Sequence, residues 1–327
     1  MNRFKLALKT TKSQLRGTNL ICFLTFIISF TPTQISYAQG DKTIDKEYSC
    51  NQNDWTEKRY HELKLNNFEI NDQHEKQNVA INLSYCLNNP DPDIRDGIAY
   101  QAISKWARDD QLSVHSLNTL FDRLLKILSA PNKDPLNFEQ PFAALVLAEV
   151  VRVDRIKPYL KAEQRQNVVE TTYNYMSNID DYRGFNNEDG WRHAVAHTAD
   201  LVLQLSLNDQ LNKQQLDLLA ETLKSQVIAH KNHSYTFGEP RRLAIATVYL
   251  FLNDEFTKSE WREWLQPFSE PTPLKNWQEA FKTEAGLAKL HNTRAFLQAL
   301  YALVGESKNE QLIMMKNDIV NALKQLP

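Results

Sequence analysis

Residues 89–106 read NPDPDIRDGIAYQAISKW, and they carry both a helix start and the pattern of a buried helix face. Asp91 is placed to cap the first free amides. Pro92 suits the first helical position, where a missing N–H costs nothing, and Asp93 lies at the positive end of the helix dipole. Ile94, Ile98, Ala102, Ile103 and Trp106 then recur at helical spacing. Downstream, Leu117, Leu120, Leu124, Leu125 and Leu128 repeat that spacing, and 131–136 reads as a loop. Phe142, Leu145, Val146, Leu147 and Val150 read as a buried helix. Helical patterning continues over 157–176, 190–207, 213–230, 240–252, 259–265, 291–304 and 309–326. No strand-like alternation persists.

The chain has 327 residues, 42% of them hydrophobic, which is enough for a substantial core. Only 8 are glycine, too few for the turns of a sandwich or barrel. Helices of this length joined by short loops point to an all-α fold. The expected architecture is a helical-hairpin stack, an ARM/HEAT-like superhelix, with an (α/α) toroid as the alternative. Residues 91–95 also look like the opening of a HEAT-type helix.

The N-terminus reads as a secretory signal peptide over 1–38. Arg3, Lys5, Lys9, Lys12 and Arg16 form a positive region. The apolar run of Ile21 to Phe30 is short for a membrane span, and Ser36-Tyr37-Ala38 provides a cleavage site. A polar, loosely ordered segment is expected over 39–54, and a single helical domain over 55–327. Cleavage after Ala38 removes five of 38 basic residues and none of the 40 acidic ones, leaving a net charge of −7. That charge offers no general attraction for nucleic acid, and no membrane span is expected after cleavage. The expected location is the periplasm or the medium. Cys22 leaves with the signal, so Cys50 and Cys86 remain as an even pair in an oxidising compartment, where a disulfide is expected.

One stretch is not explained by packing. Asp181-Tyr182-Arg183-Gly184-Phe185 leads through a polar loop into Gly190-Trp191-Arg192-His193, then Ala194-Val195-Ala196-His197-Thr198-Ala199-Asp200. On a helix, His193, His197 and Asp200 share one face, continued by Gln204. Two imidazoles one turn apart and a carboxylate can bind a divalent transition metal such as zinc. The same three can work as metal-free acid–base or ligand-binding groups, or form a buried hydrogen-bond network. Zinc peptidase motifs place Glu after the first His; here Ala194 stands there. Asp181, Arg183 and Trp191 precede the histidines, and Glu239 and Arg242 open a later helix after Gly238. All five are candidate ligand-binding groups.

The motifs Asp91-Pro92-x-Ile94-Arg95-Asp96, Asp181-x-Arg183-Gly184-Phe185, Gly190-Trp191-x-His193-x-x-Ala196-His197-x-Ala199-Asp200 and Gly238-Glu239-x-x-Arg242-Leu243-Ala244 come in this order. Together they resemble a bacterial family catalogued as domain of unknown function 2785, over about residues 78–305. The resemblance implies an all-helical fold and assigns no activity. Two functions follow from the residues. One is an exported binding or scaffold protein for an unknown ligand or protein. The other is an exported hydrolase or lyase, metal-dependent or not, with His193, His197 and Asp200 as its catalytic groups and a cell-wall, polysaccharide or phosphoester substrate. No nucleophile elbow, P-loop or dinucleotide fingerprint is present.

Overall fold

The structure, a computed structural model, describes residues 50–51, 55–305 and 307–327. The chain divides into Met1–Lys46 and Glu47–Pro327, and every element below belongs to the second unit. The expected signal peptide lies outside the described residues, as does the 39–54 segment apart from Cys50 and Asn51. Cys50 and Cys86 have Cα atoms 4.7 Å apart and are disulfide-bonded, as expected.

The fold is all-α: a stack of helical hairpins with one two-stranded hairpin inserted. It begins with α1 (Glu57–Leu65) and α2 (Gln73–Leu83). Asp91 caps α3 (Pro92–Ile94), accepting from the Asp93 amide at 2.8 Å. The helix then widens into a π turn, Arg95–Tyr100, before continuing as α4 (Gln101–Arg108). That widening turns the side chains of residues 95–100 away from a regular stripe, and such turns recur at functional sites. α5 (Val114–Ser129), α6 (Glu139–Ile156) and α7 (Ala162–Ser177) follow. Next come β1 (Phe185–Asn186), β2 (Gly190–Trp191) and α8 (Ala194–Ser206). The chain finishes with α9 (Lys213–Lys224), α10 (Glu239–Phe251), α11 (Lys258–Leu265), α12 (Glu284–Val304) and α13 (Glu310–Gln325).

Two rows of helices make the stack. α4, α6, α8, α10 and α12 pack side by side in that order, and α2, α5, α7 and α9 line up against them. α11 joins the second row through Trp264, whose Nε1 donates to the Ala220 carbonyl at 2.9 Å. The last hairpin packs on α10 and α11 rather than returning to the first helices. The array is therefore an open ladder and not the closed ring of a toroid. α6 runs through its centre, with Phe142, Val146, Leu147 and Val150 buried. The buried alanines 194, 196 and 199 on α8 let that helix approach α6 closely, and the two form the most extensive pair. Among the described residues, no helix is long and apolar enough to cross a membrane.

Several boundaries differ from the sequence expectation. The helix expected over 157–176 starts only at Ala162, because the buried Asp154 carboxylate captures the Tyr159 and Leu160 amides, each at 2.8 Å. Arg165 and Asn208 also bond Asp154, so the break ties three segments together. The helix expected over 213–230 ends at Lys224. Beyond it, the Gln226 side chain donates to the Met176 and Ile179 carbonyls. The helix expected from 190 starts only at Ala194, and that difference shapes the site.

Candidate functional site

The site is built around the hairpin that precedes α8. Phe185 pairs with Trp191 and Asn186 with Gly190 in antiparallel register. Gly190 holds φ at +71°, and a Cβ there would meet the Pro92 side chain at 2.9 Å, so both the backbone and the space call for glycine. Beyond the strands, the Arg192 and His193 amides donate to the Gly184 and Arg183 carbonyls at 2.9 and 3.1 Å. The extended pairing thus runs through the positions where the sequence pattern places a first helical turn.

Arg95 holds this hairpin to the π turn. It is fully buried, and its guanidinium donates to the carbonyls of Asn89 (2.8 Å) and Asp189 (2.7 Å) and to Asp96 (2.9 Å). It also lies 3.9 Å over the Phe138 ring. The geometry uses the planar fork that only arginine has. Arg192 adds bonds to the Leu136 carbonyl and Asp189.

His193 sits at the N-terminal edge of α8 in the left-handed region, φ 59° and ψ 39°. It is therefore not on the helix, correcting the expectation of three residues on one helical face. The two rings still converge: His193 stacks on Trp191 at 4.7 Å and meets the His197 ring at 5.7 Å. His197 packs edge-on against Phe142 at 5.1 Å. Both histidines are more than nine-tenths buried. His193 Nε2 and His197 Nδ1 are buried and have no hydrogen-bond partner among the described residues. Glu239 Oε1 is 3.8 Å from His193 Nε2, beyond hydrogen-bond reach.

A cavity of about 500 Å³ lies over these groups. His193, His197, Asp96, Asp200 and Arg242 give it polar walls, and Tyr100, Phe142, Trp191 and Phe237 supply aromatic ones. Asp200 is ion-paired with Arg242. Burial, reinforced by Arg242, holds His193 down to about 4. Burial, with His193 and Arg242 adding to it, holds His197 down to about 3. Burial pushes Asp96 up to about 6 against the opposing pull of Arg95, and it raises Asp200 and Glu239 as well. At neutral pH both rings are therefore uncharged. Glu239 is buried beneath the rings and accepts from the Phe237 amide at 2.9 Å, which fixes the α10 entry.

Of the expected site residues, His193, His197, Asp200, Trp191 and Arg242 meet at one cavity, with Glu239 behind it. Asp181 and Arg183 do not join them. They pair with each other, Asp181 also accepts from Asn137 at 2.8 Å, and both line a neighbouring cleft of about 650 Å³. The metal expectation also fails on geometry. Among the described residues, no group of three His, Cys, Asp or Glu side chains is placed to hold an ion, and Asp200 is turned to Arg242. Asp96, Tyr100, Phe142 and Phe237 were not singled out from the sequence. Asp96 follows the helix start, where an acid reads as dipole complement, and the aromatics read as core.

Neither a curated protein nor a solved structure matches the chain. A family model described as protein of unknown function (DUF2785) matches residues 124–302, which spans the hairpin, both histidines, Asp200 and α10, and leaves the Asp91 to Asp96 motif outside. That match covers more than half of the 327 residues, and the chain belongs to the DUF2785 family.

Proposed function

We propose that the chain is an exported helical-repeat protein that binds a small polar ligand in the cavity over His193 and His197. One observation carries the reading: two neighbouring imidazoles that line the cavity, each more than nine-tenths buried, keep a ring nitrogen without a partner. Buried polar atoms are nearly always satisfied, and leaving one unmade costs stability. Groups kept at that cost are characteristic of sites that receive a ligand. The left-handed backbone at His193 adds to the same argument, since strain of this kind gathers at functional positions. Export rests on the positive N-terminal region, the short apolar run and the Ala38 cleavage site.

The test is the stability of His197→Phe. An aromatic ring of similar size removes the unpaired polar nitrogen, so the variant should be more stable by about 1 to 3 kcal/mol. A loss of similar size would make the ring part of a structural network and end this reading.

The enzyme alternative, a hydrolase or lyase, is favoured by Asp96, which burial brings to about 6 on the same cavity as two neutral imidazoles. Groups poised near neutrality suit general acid–base work. Recovery of a bound ligand chemically unchanged after prolonged incubation supports binding alone, and its conversion supports the enzyme.

A further inference from the structure

Between the histidine cavity and the neighbouring cleft stands a ridge of exposed aromatic rings. Phe185, Trp191 and Phe237 are 44%, 38% and 36% exposed. Trp191 lies 5.1 Å from Phe185 and 6.0 Å from Phe237, centroid to centroid. Trp191 and Phe237 line the cavity, while Phe185 and Phe237 line the cleft, so Phe237 is a wall shared by both. Gly184 makes the ridge possible, because a Cβ there would stand 2.0 Å from the Phe237 ring.

Most charges on either side of the ridge are spent within the protein; Arg241, exposed on the cavity wall, has no salt-bridge partner among the described residues. Asp200 is held by Arg242, Asp96 by Arg95, Asp181 by Arg183, Asp180 by Lys231 and Asp189 by Arg192. A strongly ionic ligand would have to compete with those pairs. What remains is a set of planar hydrogen-bonding groups: carboxylates, guanidinium edges and two imidazoles, each with a ring nitrogen that lacks a partner. Exposed aromatic faces beside such groups match a molecule with apolar C–H faces and a rim of hydroxyls. Openings of about 500 and 650 Å³ each fall in the range of small-molecule sites.

Resting on the binding reading above, we infer that the ligand is a neutral oligosaccharide, seated with one end in the histidine cavity and crossing the aromatic ridge into the cleft. Ligand hydroxyls meet the imidazoles and carboxylates of the cavity, Trp191 and Phe237 carry the pyranose face, and Phe185 supports the units beyond.

Titration of the mature protein, followed by tryptophan fluorescence and calorimetry, tests this with gluco-, malto-, xylo- and chito-oligosaccharides as disaccharides and tetrasaccharides. Oligogalacturonate and inorganic phosphate serve as the charged comparison. At least one neutral series should bind saturably, its tetrasaccharide about tenfold tighter than its disaccharide. Trp191→Ala should weaken both lengths about tenfold without lowering the melting temperature. Phe185→Ala should weaken the tetrasaccharide alone. Binding by the charged probes only, or by none of the neutral series, overturns the ligand class; equal affinity for the two lengths overturns the crossing of the ridge. In each case a stabilising His197→Phe leaves the cavity standing as a binding site, whereas a destabilising one removes the site itself.

Discussion

The imidazole rings of His193 and His197 meet with centroids 5.7 Å apart, one from the left-handed N-cap of α8 and the other from that helix's first turn. Asparagine tolerates the left-handed region and valine does not. His193→Asn should therefore stay within about 1 kcal/mol of the wild type, and His193→Val should lose about 1 to 2 kcal/mol more. Denaturant unfolding of the two variants gives the comparison. Equal losses would show that backbone strain is not what distinguishes this position.

Acid should weaken the fold through the two rings. Their folded values, about 4 for His193 and about 3 for His197, lie below the ordinary 6.5. As pH falls below about 6.5, the unfolded chain takes up protons that the native rings refuse, so stability drops. Asp96 works the other way: its raised folded value, about 6 against 3.8, makes the native state the better proton binder between those limits. Two rings against one carboxyl leave a net loss. Between pH 7.5 and 4.5, His197→Phe should lose less unfolding free energy than the wild type, by about 2 to 3 kcal/mol. Parallel pH profiles would contradict the assignment of His197 as a neutral buried ring.

Arg95 joins the π turn to the hairpin by bonds to the Asn89 and Asp189 carbonyls and to Asp96. Arg95→Met should cost about 3 to 5 kcal/mol, since Asp96 and the loop carbonyls lose a buried partner. Tryptophan emission should report freer motion of Trp191 in the same variant. A loss below about 1 kcal/mol would reduce the clamp to an ordinary surface contact.

Thiol counting on unfolded, unreduced mature protein should find none, with Cys50 and Cys86 joined across a separation of 36 residues. Reduction should then lower stability by roughly 3 to 4 kcal/mol, the cost of releasing a loop of that length. The exported protein should begin at Gln39. An intact leader on N-terminal sequencing, or recovery from the cytoplasm, would refute export.

Much of the site's membership was legible in the residues. His193, Trp191, His197, Asp200 and Arg242 were all marked, and all reach one cavity. The spacing places His193 on a helix face, whereas in the structure it is the left-handed N-cap of α8. Asp181 and Arg183 were marked too, and their side chains turn to each other in the next cleft. Proximity in the chain places their backbone beside His193, as the 3.1 Å bond to the Arg183 carbonyl shows, but says nothing of where a side chain finds its charge partner.

Helix existence, the Asp91 cap and the buried faces of α5 and α6 were determined by the sequence alone, because capping, glycine scarcity and 3.6-residue periodicity act within a few residues of one another. Only the tertiary structure decided the rest. Arg95 reaches across 94 residues to Asp189 and holds the hairpin that keeps 190–193 out of the helix local pattern favours. Asp154 breaks a helix by capturing amides with a carboxylate that Arg165 holds in place. The cavity exists because the hairpin, the π turn, α6, α8 and α10 converge there, and desolvation and pairing energies belong to that convergence rather than to any single segment.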